Sequence, residues 1–431
     1  MSDTPTLEKV PEAAVDAAVV APTPEEPVPA AAPAAGEGEV TKKKKKKKNK
    51  KKAKKGGGAA AQTNPPTRRV TSLFPKGFPE NEIQLVDPTS ANYVAPPYPS
   101  LEEDAEYLEA KIRDLRIGAE VHREVRQYAR TKCVPGVNLH AFVTDVEDRV
   151  RHLTGDMHSA EAGMAFPCGV SLNDVAAHYT PLKGDDTCLG VDDVCKVDFG
   201  VHVNGHVIDS AFTVTHNDRY DPLVEATRRA TDEAVALSGP GRVIEEVGDL
   251  IDEIISSYEI ELDGKKYAIN PVRNLTGHTT GPYQVHAGQS IPNCKKSGNT
   301  QRMKVGEVFA LETFASTGRG YVRERGDASH FMLAEGCDTM TPAQCGIKLG
   351  SARKLMQWIQ ANHRSLAWTQ RWFDRAKLPS YEMAMTYLVN HEVVNPYPPL
   401  ADVRGCYTSQ FEHTFLITDK GKEVLSRGDD Y

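Results

Sequence analysis

The sequence predicts an α+β domain: a mostly antiparallel, curved sheet with helices packed on its outer face, behind a long unfolded arm. Three observations carry this expectation. Apolar strand-like runs at 195–201, 206–214, 308–315 and 410–418 lie between and after helical segments. Two helix–Pro-Gly–helix stretches, at Pro135-Gly136 and Pro240-Gly241, echo each other 105 residues apart. The N-terminal 75 residues carry no core-forming pattern but a dense block of charge.

The arm comes first. Residues 1–40 are rich in Ala, Pro and Glu, with eight acidic residues against Lys9. Such a segment buries too little apolar area to offset its ordering entropy. Twelve lysines follow between Lys42 and Lys55, and without them the net charge of −7 becomes −19. An acidic body thus carries a compact basic block, the signature of a tail that binds polyanions in a salt-dependent way. The arm is expected to run over 1–75, with the folded domain over 76–431 and an extended Pro-rich stretch at its start.

Helical periodicity begins near Glu102, with Leu108, Ile112, Leu115 and Ala119 on one face, and Phe142, Val146, Val150 and Leu153 on the next helix. The echo repeats this with Leu223–Leu237 before Pro240-Gly241, then Val243, Val247, Leu250 and Ile254. Residues 351–390 are again helical by spacing and hold all three tryptophans. They mark an inserted helical subdomain at about 335–395. Eight cysteines without a CxxC pair read as reduced thiols of a cytoplasmic protein. No apolar run suits a bilayer span or a signal peptide, so no membrane association is expected.

The chemistry centres on two aspartates. Asn204-Gly205 is a two-residue hairpin signal between alternating apolar runs. With that turn, Val203 pairs with His206, Val201 with Ile208 and Gly200 with Asp209. Asp198 then shares a face with Asp209, diagonally across and roughly 7–8 Å away. Two carboxylates so placed need a proton or a metal. Glu312 and Glu412 lie in apolar strand-like runs, where a lone carboxylate also needs a partner. With His278 these residues form a hard, oxygen-rich ligand set suited to Mn, Fe, Co or Zn. His202 and His206 flank the same turn but are expected to be solvated hairpin residues rather than ligands.

The ordered set Asp198, Asp209, His278, Glu312 and Glu412 resembles the metal ligands of the methionine aminopeptidase and creatinase-like pita-bread proteins. The words Ala165-Phe166-Pro167, Ala176-Ala177-His178-Tyr179-Thr180-Pro181, Asn274-Leu275-Thr276-Gly277-His278, Val285-His286-Ala287-Gly288, Pro396-Tyr397-Pro398-Pro399-Leu400 and Gln410-Phe411-Glu412-His413-Thr414 narrow the resemblance to the type 2 methionine aminopeptidases of eukaryotes. It runs from about Glu102 to Tyr431, and the helical insert separates type 2 from type 1. The resemblance implies a pseudo-symmetric fold of two halves.

It also implies hydrolysis after an N-terminal methionine with a small second residue, on nascent chains, by a hydroxide held between two divalent ions. One ion would be held by Asp198, Asp209 and Glu412, the other by Asp209, His278, Glu312 and Glu412. His178 would stabilise the oxyanion and would be the residue that fumagillin-type epoxides alkylate. His286 would contact the substrate backbone, and Glu312 would shuttle the proton. Phe166, His330 and Tyr397 would line the methionine pocket, where thioether–aromatic contacts are favourable. Ribosomal RNA is the expected partner of Lys42–Lys55, with nuclear import as the other reading of that run. A translation initiation factor is a further candidate partner, and the chain is expected to act as a monomer. Two rivals share the fold: a non-catalytic ribosome- or RNA-binding relative, and an X-Pro aminopeptidase. The intact ligand set opposes the first. The Ala-His-Tyr-Thr-Pro word and the insert oppose the second.

Overall fold

The computed structural model describes residues 61–155 and 159–431. The Lys42–Lys55 run and the expected arm up to residue 60 lie outside the described residues. Residues 61–75, expected in the arm, are placed on the domain. The helical turn α1 (Val70–Leu73) buries Val70 in the same core as the helices that follow. A four-residue apolar anchor is too short to show as periodicity. The strand β1 (Glu82–Leu85) comes next.

The N-terminal half begins with two helices. In α2 (Ala105–Lys132), the Asp104 side chain caps the N-terminus by accepting from Tyr107 N. In α3 (Leu139–Thr154), Asn138 caps the start, and Gly155 ends the helix in a left-handed conformation. Leu115, Ala119, Phe142, Val146, Val150 and Leu153 are all buried. These helices pack on a three-stranded antiparallel sheet, β2 (Ala162–Leu172), β4 (Cys195–Val203) and β5 (His206–Val214), with the short β3 (Val175–Ala177) beside it. At the β4–β5 turn Asn204 and Gly205 both have positive φ, 50° and 87°, as a type I′ turn requires. The expected register is observed, Val203 to His206 and Gly200 to Asp209.

The C-terminal half repeats the plan. Helices α4 (Asp221–Leu237) and α5 (Ile244–Ser256) lead through the hairpin β6 (Glu259–Leu262) and β7 (Lys265–Ala268) to β8 (Asn270–Pro271), β9 (Thr276–Thr280), β10 (Ser290–Pro292) and β11 (Val308–Ser316). The chain then forms β12 (Arg323–Glu324) and β13 (His330–Leu333). Three helices follow: α6 (Gly350–His363), α7 (Gln370–Arg375) and α8 (Glu382–Asn390). It returns through β14 (Val394–Tyr397), paired with β13, and β15 (Leu400–Ala401) to β16 (Thr408–Thr418) and β17 (Gly421–Val424). The large sheet runs β1-β17-β16-β11-β9-β10, with β8 also on β11. Every ladder between these strands is antiparallel. Trp368, between α6 and α7, and Trp372 and Phe373 of α7 join the core of α2, α3 and β2.

The two sheets meet along β5 and β16, where side-chain hydroxyls make the crossing bonds. Asp209 N donates to Thr414 Oγ1 (2.8 Å), and that hydroxyl donates back to Asp209 O. Ser210 Oγ donates to Glu412 O and Thr213 Oγ1 to Gln410 O. His202 and His206 are not solvated, contrary to expectation: both are buried. Tyr283 lies on the hairpin tip, its N–H donating to Gly205 O, and His202 Nε2 is 2.8 Å from Ser159 O. Tyr283 is 78 residues beyond Gly205, so the hairpin alone gives no sign of that cover.

Candidate metal centre and substrate pocket

Side-chain alternation along five strands brings five ligand-type residues together. On β4 and β5, Asp198 and Asp209 stand on one face, with Gly200 directly opposite Asp209. A Cβ at Gly200 would lie 2.3 Å from the Phe166 ring, so the glycine is what lets that aromatic pass beside the carboxylates. On β11 and β16, Glu312 pairs directly with Glu412. On β9, His278 faces Ala310, one alternation from Glu312. A Cβ at Gly277 would meet Ala310 O at 2.9 Å, so this glycine permits β9 to lie close on β11.

Ligand atoms of Asp209, His278 and Glu412 fall within 4.8 Å of one another, as do those of Asp198, Glu312 and Glu412. Glu412 alone is common to both groups. Gln410 Nε2 donates to Asp198 Oδ2 (3.0 Å) and Glu312 Oε2 (2.9 Å), linking those two carboxylates. Gln410 was not singled out from the sequence. It lies two residues before Glu412 on the same strand, hence on the same face, and that spacing was the available signal.

The electrostatics are those of a site built for cations. Burial pushes Asp198 up to about 6, against the opposing pull of the Gln410 hydrogen bond. Burial first, then the neighbouring carboxylates, hold Asp209, Glu312 and Glu412 well above the ordinary carboxylate range. Burial, then His286, keeps His278 well below its usual value, hence neutral and able to ligate. Asp198 Oδ1, Asp209 Oδ1 and both Glu412 carboxylate oxygens are buried with no hydrogen-bond partner among the described residues. Four orphaned acidic oxygens around one imidazole fit divalent cations of the first transition row.

These groups form one wall of a cavity of about 200 Å³. Phe166, His178, His286, His330 and Tyr397, expected from the sequence, all line it, joined by Met332 and by Ala367 from the insert. His178 follows β3 with φ +65°, uncommon for a residue with a side chain. Its ring lies 5.9 Å from that of His330 and 6.1 Å from Tyr397. His330 and Tyr397 are register partners on β13 and β14. Burial, then His286, lowers His178 to about 4, and burial, then His178, lowers His330 to about 3, so both imidazoles are neutral at pH 7. His286 packs edge-on to His278, with ring centroids 4.1 Å apart.

Residues 113–419 match the metallopeptidase family M24. Methionine aminopeptidase 2 of Debaryomyces hansenii is 42% identical over 367 residues, covering 84% of this chain and 85% of that protein. Methionine aminopeptidase 2A of Arabidopsis thaliana is 42% identical over 371 residues, covering 86% and 82%. Among solved structures, a thermophilic Arx1 aligns with TM-score 0.62 at 16% identity, over 76% of this chain and 92% of that one. A Thermotoga maritima methionine aminopeptidase aligns with TM-score 0.51 at 19% identity, over 76% and 100%. At those identities the two structures speak for the fold.

Proposed function

Because the chain belongs to metallopeptidase family M24, and within it to the methionine aminopeptidase 2 proteins, we propose that the cavity is the active site of this chain's reaction. The chain is a metal-dependent aminopeptidase on the pita-bread fold, removing methionine from protein N-termini. The observation that carries the site is the convergence of four carboxylates and a neutral imidazole, with orphaned oxygens, on a cavity walled by aromatics.

In this reading Asp198, Asp209, His278, Glu312 and Glu412 would hold two divalent ions, drawn from Mn, Fe, Co or Zn. When bound, such ions supply Lewis acidity and lower the pKa of a coordinated water toward neutrality. The remaining roles fall to the chain itself. His178, neutral, has one N–H to donate to the scissile carbonyl and to the charge developing on it. His286 contacts the substrate backbone beside His278. Glu312, beside the scissile bond, carries a proton to the leaving amine. Phe166, His330 and Tyr397 enclose the methionine side chain. A cavity of about 200 Å³ must house that side chain and the main chain next to it, which favours a small second residue.

Lys42–Lys55 tethers the enzyme to ribosomal RNA near emerging N-termini, with an initiation factor as a second possible contact. The eight cysteines are all free thiols, in keeping with a reducing, cytoplasmic setting. No helix among the described residues is long and apolar enough to cross a membrane.

The test compares Met-Ala-Ser and X-Pro peptides after chelation, with and without added Mn or Co, beside metal analysis of the protein. Metal-restored cleavage of Met-Ala-Ser alone is the expected result. Preference for X-Pro peptides, or no cleavage of either, would favour one of the rival readings.

A further inference from the structure

Beside Ala367, which lines the cavity directly, the helical insert reaches toward the active site through a buried ion pair. Glu147 of α3 and Arg371 of α7 are 224 residues apart, and their side chains are 2% and 6% exposed. Glu147 is fully engaged. Oε1 accepts from Arg371 Nη2 and Cys168 N, and Oε2 accepts from Trp372 Nε1 at 2.7 Å. A pair that only fastened the insert to α3 would need nothing more.

Arg371, however, turns its other terminal nitrogen onto the turn that follows His178. Nη1 donates to Pro181 O (2.6 Å) and Thr180 Oγ1 (3.1 Å). Thr180 Oγ1 in turn donates to Cys168 O (2.7 Å) on β2. Thr180 N donates to Ser329 Oγ (3.1 Å), and that hydroxyl reaches back to His178 O (3.3 Å). His178 itself sits at φ +65°, a conformation a residue with a side chain holds only when its surroundings fix it. Without these bonds the backbone has reason to relax and carry the imidazole with it.

We propose that Arg371, braced by Glu147, is a positioning residue for His178, so that the insert sets where the imidazole stands. Arg suits the task because its planar fork reaches carboxylate, hydroxyl and carbonyl at once, whereas a lysine ammonium is a single point. The inference rests on the assignment of His178 to the reaction.

The experiment compares Arg371→Lys, Thr180→Val, Leu355→Ala and His178→Ala in the metal-loaded, full-length enzyme. Leu355 is buried in α6 and serves as a control for loss of insert packing. Three quantities are read: kcat and KM on Met-Ala-Ser, melting temperature, and the rate at which a fumagillin-type epoxide alkylates His178. Misplacing a reacting group by about an ångström costs up to roughly 100-fold. Arg371→Lys and Thr180→Val should therefore lower kcat about tenfold, with KM changed less, and slow alkylation by a similar factor. Leu355→Ala should lower the melting temperature while leaving kcat and alkylation within about twofold. If Arg371→Lys does not fold, Thr180→Val decides, since it leaves the ion pair intact. Wild-type kcat and labelling in the folded Arg371 and Thr180 variants would overturn the inference. So would a Leu355→Ala variant that loses kcat equally at equal loss of stability. Persistent turnover and labelling in His178→Ala would instead defeat the assignment of His178.

Discussion

The two halves of the molecule deliver carboxylates to one site by different means. In the N-terminal half a single tight hairpin presents Asp198 and Asp209 on the diagonal, with Gly200 between them and Phe166 filling the gap. In the C-terminal half β11 and β16 become neighbours only after the chain has passed through the insert. They set Glu312 and Glu412 directly opposite each other, and Gln410 ties Glu312 across to Asp198 of the other half. Like charges directly opposite on paired strands are destabilising, and diagonal ones are less so. The C-terminal half therefore leans harder on a cation, and Glu412, common to both ligand groups, is where the halves depend on each other.

The largest expected effect tests that dependence. Glu412→Gln should lower kcat by roughly 100- to 1,000-fold or more, the scale of losing a preorganised electrostatic group, and reduce bound metal at both positions. Asp198→Asn should leave the Asp209–His278–Glu412 group able to bind. Metal analysis and turnover of the two variants decide it. Equal metal content and activity in both would abolish the distinction between shared and unshared ligands.

A smaller effect comes from pH. Asp198 titrates in the metal-free fold at about 6, and the other three carboxylates lie well above their ordinary values. Cations must displace those protons, so affinity rises with pH through about 6, by up to about tenfold per unit for each proton displaced. His278 is already neutral there and contributes none. The sign for stability follows from linkage. A carboxyl raised from 3.8 when unfolded to about 6 when folded binds more protons in the fold, so its contribution falls as pH rises across that window. The lowered imidazoles act oppositely, so the increment in melting temperature on adding metal is the cleaner observable. It should grow from pH 5 to pH 7. Calorimetry in two buffers of different ionisation enthalpy should show proton release at the lower pH, and none there would refute the carboxylate assignment.

The smallest effect concerns the seam between the halves. Thr414→Val removes the hydroxyl that both accepts from and donates to the Asp209 backbone. It should cost about 1–3 kcal/mol, the penalty for stranding buried partners, read from the denaturation midpoint. An unchanged midpoint would show that the seam is held elsewhere.

The same contrast governs what the sequence revealed. The β4–β5 register was legible because Asn204-Gly205 is a local signal and alternation does the rest. Glu312 and Glu412 stood out as lone carboxylates in apolar runs, but nothing in either run shows that they face each other. Gln410 was passed over because a neutral amide in a strand raises no charge problem. The burial of His202 and His206 is not legible in the hairpin because the residues that cover it are distant in sequence. Val70 was assigned to the arm because so short an anchor has no period to read. Arg371 and Glu147 look like ordinary surface charges until the fold removes water from both.

The seam along β5 and β16 also has a bearing on timing. Asp209 and Glu412 are held side by side by contacts that span about two hundred positions of chain. Closing so long a loop carries a large entropic cost, and such contacts tend to form late. A partly folded molecule owns the acids but not their convergence. Hydrolytic competence therefore waits on the closure of this seam. Until then, the unfinished enzyme holds no assembled centre with which to cut itself or its neighbours.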